Sequence, residues 1–347
     1  MIAAEVEPPP APLRLDANEP ADSGLDLAAL VASAAGTLHR YPVAPSRLTD
    51  AIAARHAVPA DRVLLGAGSA DLITLAWRVC TGPGRTAAFG TPGFELYALL
   101  CRQFGRPART WPVATPSDVL PGEVVFDGPA VGLVAVSNPH NPTGSRVPRT
   151  AVAQLADRLP AGAVLLNDEA YAEYVEDEPG DVTLAELSAR PNVISTRTFS
   201  KLYGLPALRV GYAVADPALI RRLAALRTPH MVSQLGALGA LQALRDDAAV
   251  AARRQRTASC RGRLSCSGVV SPSPMPAPTS CSPIETTTST GPRGSPPTAC
   301  SSRPSAPLSE SRFPRSPIWT GCSAHSTPCR AEKLDAHKHH RSFCVIH

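Results

Sequence analysis

From about residue 11 to 255 the chain alternates amphipathic stretches with short apolar runs. Apolar positions recur at helical spacing over Leu27 to Leu38 and over Leu48 to His56, so each predicts a helix with one buried stripe. Ala70 to Cys80 predicts a third helix, stopped by Thr81-Gly82-Pro83-Gly84, and Arg149 to Leu159 a further one. Between them lie Val63 to Leu65, Thr86 to Phe89, Val131 to Val136, Ala163 to Leu166, Val193 to Ser195 and Val210 to Val214. These runs are apolar throughout and bounded by turn residues. That is the pattern of strands covered on both faces, as in a parallel sheet flanked by helices. The predicted class is α/β with a mostly parallel sheet. Ligands of such sheets bind beyond the carboxyl ends of the strands, so the polar residues just after each run are the candidates for chemistry.

Residues 256–347 break the pattern. Only eleven of these 92 residues are Leu, Ile, Val or Phe, and Ser, Thr and Pro dominate. A segment with so little to bury is expected to be disordered. Charge divides at the same place. Eleven Lys and Arg against four Asp and Glu give the segment +7, which leaves −2 for residues 1–255 of a chain at +5. So do the cysteines: Cys80 and Cys101 come before, and the seven that follow are irregularly spaced with no C-x-x-C pair, so neither a zinc site nor a redox motif is indicated. The basic tail has almost no aromatic residues to stack on bases, so no nucleic-acid partner is expected. His337, His339 and His340 read as a solvated tract, and no metal is expected. Cys344-Val345-Ile346-His347 fits a loose prenylation box without the polybasic second signal that anchoring needs. No apolar run is long enough to span a bilayer, and Met1 to Pro12 is acidic and Pro-rich rather than a secretory signal. No membrane partner is expected, and the expected location is the cytoplasm.

Four phrases stand at strand ends. Gly66-Ala67-Gly68-Ser69-Ala70-Asp71 opens a helix, where glycines let the backbone approach an anion and free N–H groups can bind phosphate. An ordinary N-cap by Ser69 is its plainer reading, and the absence of a third glycine excludes the dinucleotide fingerprint. Ser137-Asn138-Pro139-His140-Asn141-Pro142-Thr143-Gly144 makes a rigid extended turn through its two Asn-Pro steps. Asn167-Asp168-Glu169-Ala170-Tyr171 puts a carboxylate at the end of a buried run, as a helix cap or as the partner of a buried cation. The fourth runs from Thr196 to Tyr212 and carries Ser200-Lys201, Gly204-Leu205 and Leu208-Arg209-Val210-Gly211-Tyr212. An isolated lysine is ordinarily a solvated surface charge.

In this order and spacing the phrases resemble the fold-type I aminotransferases of class I and II, which use pyridoxal 5′-phosphate (PLP), and among them the histidinol-phosphate aminotransferase family. The resemblance implies that family's fold, a large domain with a small domain that is incomplete here. It covers roughly residues 11 to 255 and implies roles residue by residue. Lys201 would be the Schiff-base lysine and proton carrier. Asp168 would pair with the pyridine nitrogen and keep the ring protonated as an electron sink. Asn141 and Tyr171 would hydrogen-bond the 3′-oxygen, and Phe94 would stack on the ring. Ser69, Ala70, Thr198, Ser200 and Arg209 would hold the phosphate, Arg209 through a charge-assisted fork. The Lys201 amine must be unprotonated to work, so its pKa must be lowered by the cofactor and Arg209. Tyr41, in His39-Arg40-Tyr41-Pro42, resembles an element that reaches into the neighbouring subunit's phosphate site, which implies a homodimer. Leu15-Asp16-Ala17-Asn18-Glu19-Pro20 is similar to a further N-terminal element, one residue short.

The expected organisation is an N-terminal segment, 1–40, contributing to a small domain; a PLP-binding large domain, 41–255; and the tail, 256–347. The implied reaction moves an amino group between histidinol phosphate, or another amino donor, and 2-oxoglutarate as the 2-oxo acid acceptor. A threonine-phosphate decarboxylase shares fold and cofactor, and a truncated inactive aminotransferase is the third reading. The last base of the Pro274 codon can start a shifted frame that spells His-Ala-Ser-Pro-Asn-Phe-Val-Leu, similar to the strand that opens the family's small domain. The tail is therefore expected to be out of frame. It contains no match to the motif that holds the family's substrate-carboxylate arginine, so weak PLP binding and little turnover are expected of this chain.

Overall fold

The computed structural model describes residues 18–20, 22–42, 45–122, 130–175 and 178–266, with 260–266 described by backbone alone. The described residues belong to one compact unit, and the expectations that fall on residues 1–17 and 267–347, the shifted frame included, lie outside them.

Among the described residues seven strands form one sheet in the order β1 (Val63–Gly66), β7 (Gly211–Ala215), β6 (Val193–Thr198), β5 (Val164–Asp168), β4 (Val131–Ser137), β2 (Thr86–Thr91) and β3 (Ala108–Pro112). From β6 to β3 all pairings are parallel, while β7 runs antiparallel to both β6 and β1. The mostly parallel α/β architecture expected from the apolar runs is thus present. Every residue of β4, β5, β6 and β7 is buried, so these strands show no polar alternation in sequence. Their side chains nonetheless alternate between two cores. Leu133 and Ala135 of β4 join the cluster around Trp77 of α3 (Ser69–Cys80). Val134 and Val136 join Val152 and Leu155 of α5 (Arg149–Arg158) on the other face. A third cluster sets α2 (Ser46–Arg55) and α8 (Gln234–Arg245) against Leu65, Tyr212 and Val214.

The elements differ from the expected ones mainly at their ends. Helix α1 (Leu27–Ala34) stops short of Leu38, because the chain turns at Gly36, a poor helix former, with the Thr37 N–H on the Ala34 carbonyl. Strand β7 begins at Gly211 and β5 at Val164, one residue later than expected, and β5 and β6 extend to the polar Asp168 and Thr198. Strand β3 left no apolar run, since only Trp111 in it is buried. The sequence pattern predicts none of the helices α4 (Glu95–Gln103), α6 (Leu184–Ser188), α7 (Pro217–Ala224) and α8. Helix α9 (Asp247–Cys266) runs across residue 255, so helical backbone continues into the stretch whose composition reads as tail.

Candidate functional site

Strand register brings the four phrases to one edge of the sheet. Ser137 pairs with Asp168 and Asp168 with Thr196. Gly66 pairs with Gly211 and Gly211 with Thr198. Two antiparallel steps make β1 parallel to β6, so the loop after β1 leaves beside the lysine loop after β6.

Asp168 stands near the middle of this edge and is 2% exposed. Tyr97 Oη donates to its Oδ2 at 3.0 Å and Thr196 Oγ1 to its Oδ1 at 3.3 Å. Burial pushes the carboxyl up to about 6, against the hydrogen bonds from Tyr97, the Ala170 N–H and Thr196. Among the described residues no cation forms an ion pair with it. A buried carboxylate without a counter-charge is costly, and a protonated ring nitrogen is the kind of group that would match it.

Its neighbour Glu169 has the opposite environment. Arg149 Nε lies 2.7 Å from one carboxylate oxygen and Arg197 2.8 Å from the other, and Arg197 also reaches Glu173 at 3.3 Å. Burial alone would raise Glu169, but the charges of Arg197 and Arg149 outweigh it and hold the carboxyl down to about 2. This buried network braces β5 against β6 directly behind the site. Replacing Arg197 with Met should therefore destabilise the chain by about 3–5 kcal/mol, because two buried carboxylates lose a shared cation. A urea melt reads this directly, and a loss under ~1 kcal/mol would show that the network does not support the fold.

Gly68, at φ +81°, is the N-cap of α3. Ser69 is therefore the first helical residue and not the cap of the plainer sequence reading. The left-handed turn is taken one residue earlier, and a Cβ there would lie 2.5 Å from Arg209 Nη2. Gly211 is held equally close, since its Cβ would lie 2.5 Å from the Ser69 nitrogen. The first-turn N–H groups of Ser69 and Ala70 have no intrahelical acceptors. Arg209 Nη1 donates to Ser200 Oγ at 3.3 Å and Nη2 to the Ala67 carbonyl at 3.3 Å. Thr198 Oγ1 accepts from the Ser200 N–H at 3.1 Å. Ser69, Ala70, Thr198, Ser200 and Arg209 thus converge as a cradle of N–H, hydroxyl and guanidinium groups suited to an anion.

The Lys201 amine donates to the Asn18 carbonyl at 3.3 Å and lies 5.6 Å from the centroid of the Tyr171 ring. Burial is the main influence lowering its pKa; Arg209 acts the same way, and Glu19 and Asp168 oppose. The lowering expected from sequence is present, with burial ahead of Arg209 as its cause. Asn18 Nδ2 donates to Tyr171 Oη at 2.9 Å. Asn141 is half-buried after β4, its N–H on Ser137 Oγ at 3.4 Å. Phe94 meets Tyr97 edge to face at 5.6 Å, one ring away from Asp168. Tyr41 does not join this group: it is 81% exposed and stacks on His230 at 5.1 Å.

Three neighbours were missed from sequence. Tyr97 follows Phe94 by three positions, a spacing that puts both on one helical face. Thr196 precedes Thr198 by two, hence on the same face of β6. Asn18 belongs to the N-terminal phrase but was given no role. The sequence carries one further signal for the lysine: Lys201 is the only lysine before Lys333, in a stretch that otherwise uses arginine.

A model of the family described as "Aminotransferase class I and II" matches residues 11–265. The chain belongs to that family. A histidinol-phosphate aminotransferase of Ruegeria sp. is 39% identical over 243 residues, which are 67% of this chain and 64% of the relative's length. The histidinol-phosphate aminotransferase of Sinorhizobium meliloti, solved in complex with pyridoxal-5′-phosphate, is similar at 27% identity and a TM-score of 0.63, covering 72% of this chain and 68% of that one. An L-threonine-O-3-phosphate decarboxylase from Porphyromonas gingivalis matches at 22% identity and a TM-score of 0.58, covering 69% and 72%, and bears on the fold alone. Among the described residues no helix is long and apolar enough to cross a membrane.

Proposed function

We propose that this aminotransferase-family chain holds PLP on Lys201 and moves an amino group between histidinol phosphate and 2-oxoglutarate. One observation carries the reading: Asp168 is buried and ion-paired to no cation among the described residues, on the same sheet edge as a half-buried lysine and an anion cradle. When bound, PLP supplies a cationic ring that draws electron density from the substrate's Cα. Asp168 keeps the ring nitrogen protonated. Arg209, Ser200, Thr198 and the N–H groups of Ser69 and Ala70 hold the phosphate. Asn141 and Tyr171 orient the 3′-oxygen, and Phe94 covers one face of the ring. Lys201 would hold the cofactor and would serve as the proton carrier at the substrate's Cα, for which burial keeps its amine available. The named relatives support histidinol phosphate as the donor. The exposed Tyr41 supports a homodimer in which it serves the partner's site, and the cytoplasm is the setting this reading implies. Residues 41–255 form the cofactor domain in this reading, with 1–40 belonging to a small domain.

Borohydride reduction after incubation with PLP, followed by peptide mapping, tests the core of the reading. A pyridoxyl group on Lys201 is expected, and its absence would refute the assignment. Glutamate formed from 2-oxoglutarate and histidinol phosphate, at a low rate, is the expected turnover. Release of CO₂ from O-phosphothreonine without glutamate would replace it with decarboxylation. Gly68→Ala should weaken PLP binding at least roughly tenfold, since a new Cβ displaces Arg209 from the cradle and strains a positive φ. An unchanged PLP titration would remove Gly68 and Arg209 from the phosphate site.

A further inference from the structure

The segment just before α1 lies against the lysine loop. Arg253 of α9 is buried and donates to the carbonyls of Leu202 and Tyr203 at 3.2 and 2.9 Å, and to Asp22 Oδ1 at 3.3 Å. Gly204, at φ +78°, approaches Asp22 so closely that a Cβ would lie 2.6 Å from its carbonyl oxygen. At the start of this strap stands Asn18, itself at φ +51°, in the left-handed region. Asparagine is among the few side chains that tolerate that conformation. It turns the Asn18 carbonyl onto the Lys201 amine at 3.3 Å, while Nδ2 holds Tyr171 Oη at 2.9 Å. Its Oδ1 is buried and has no donor among the described residues.

We propose that Asn18 is a positioning residue for Lys201: tied through its side chain to Tyr171, it holds its own carbonyl on the lysine amine and keeps that amine out of water. The proposal rests on Lys201 being the working amine of the site. Among the described residues, the groups that face this amine include Glu19 and Asn18 on the strap, Asp168 at the end of β5, Tyr171 after it, and Arg209 before β7. Loosening the strap would remove two opposing influences, the burial that favours the free amine and the Glu19 charge that favours the ammonium. Burial is the larger, so the net effect is a more basic lysine.

The test is the titration of Lys201 itself in the full-length chain without cofactor. Labelling with an amine-selective reagent over a range of pH is read on the Lys201 peptide by mass spectrometry, with no other lysine before Lys333 to confuse it. The midpoint should lie below that of an ordinary lysine. Asn18→Ala and Tyr171→Phe, which cut the same tie from either end, should each raise it by about one unit, roughly a tenfold drop in free amine at neutral pH. Glu19→Gln should move it the other way. Midpoints in both Asn18→Ala and Tyr171→Phe equal to the unsubstituted chain's would overturn the proposal, as would a rise in Asn18→Ala alone. Tyr171→Phe keeps its ring, so it remains informative if Asn18→Ala fails to fold by circular dichroism. Borohydride trapping of PLP on the same samples separates the two readings. Shifted midpoints with no trapped cofactor leave the positioning role and remove PLP, and trapping with unmoved midpoints does the reverse.

Discussion

Replacing Lys201 with alanine should leave the chain unable to retain PLP through reduction and should remove the visible absorbance expected of a lysine-bound cofactor. The effect should be all or none, because no other described side chain brings an amine to this edge of the sheet, and the next lysine in the chain is Lys333. Any turnover should fall by ~10⁴-fold or more, since the covalent attachment and the proton carrier are lost together. Lys201→Arg should fare no better, because a guanidinium stays protonated and cannot form the link. The fold should survive either change. Lys201 lies in a loop after β6 and belongs to none of the hydrophobic core clusters of the described residues. Peptide mapping that found the pyridoxyl group on Lys333 or Lys338 would refute the assignment.

Asp168→Asn should change stability and cofactor binding in opposite directions. The folded carboxyl is raised to about 6 from the ordinary 3.8. A raised acid contributes stability that is fully present below about pH 4 and is lost as the pH climbs through 6. At pH 7.5 the cofactor-free chain therefore carries a penalty of roughly 3 kcal/mol at this residue. An asparagine removes the charge but cannot accept all the hydrogen bonds from Tyr97, Thr196 and the Ala170 N–H, which returns about 1 kcal/mol of the gain. The variant should be more stable by about 1–3 kcal/mol at pH 7.5, with the advantage gone near pH 4. PLP affinity should drop by about 2–5 kcal/mol, a Kd some 30-fold to several thousand-fold weaker, because a buried ring cation loses its partner. Urea melts at the two pH values and a PLP titration make the comparison. A variant less stable at neutral pH that still binds PLP normally would mean that Asp168 serves the fold and not the cofactor.

The adjacent pair Asp168-Glu169 shows where sequence reading stops. Both are acidic and both are buried. From sequence, Asp168 takes its expected role from a phrase that resembles the family's, and Glu169 takes none. What separates them is the period-two geometry of a strand end, which turns one toward Tyr97 and Thr196 and the other toward Arg149 and Arg197. Those two arginines are 48 residues apart, and no local pattern links them. Tyr97 and Thr196 could have been read from helical and strand spacing. The Asn18 contact could not, since it joins residues 183 positions apart.

The alternation of apolar runs and amphipathic stretches was enough to settle the α/β class, because burial on both faces leaves its mark on every strand of the sheet's interior. The order and spacing of the polar phrases carried the family resemblance from which roles for Lys201, Asp168, Asn141 and Arg209 are proposed, since such phrases are local in sequence. Tertiary structure decided what those groups experience. The antiparallel insertion of β7 brings the loop after β1 beside Lys201, so that Gly68 and Arg209 meet in one cradle. Burial lowers the lysine and raises the aspartate. Desolvation depends on everything that surrounds a group, and only the folded chain brings those surroundings together.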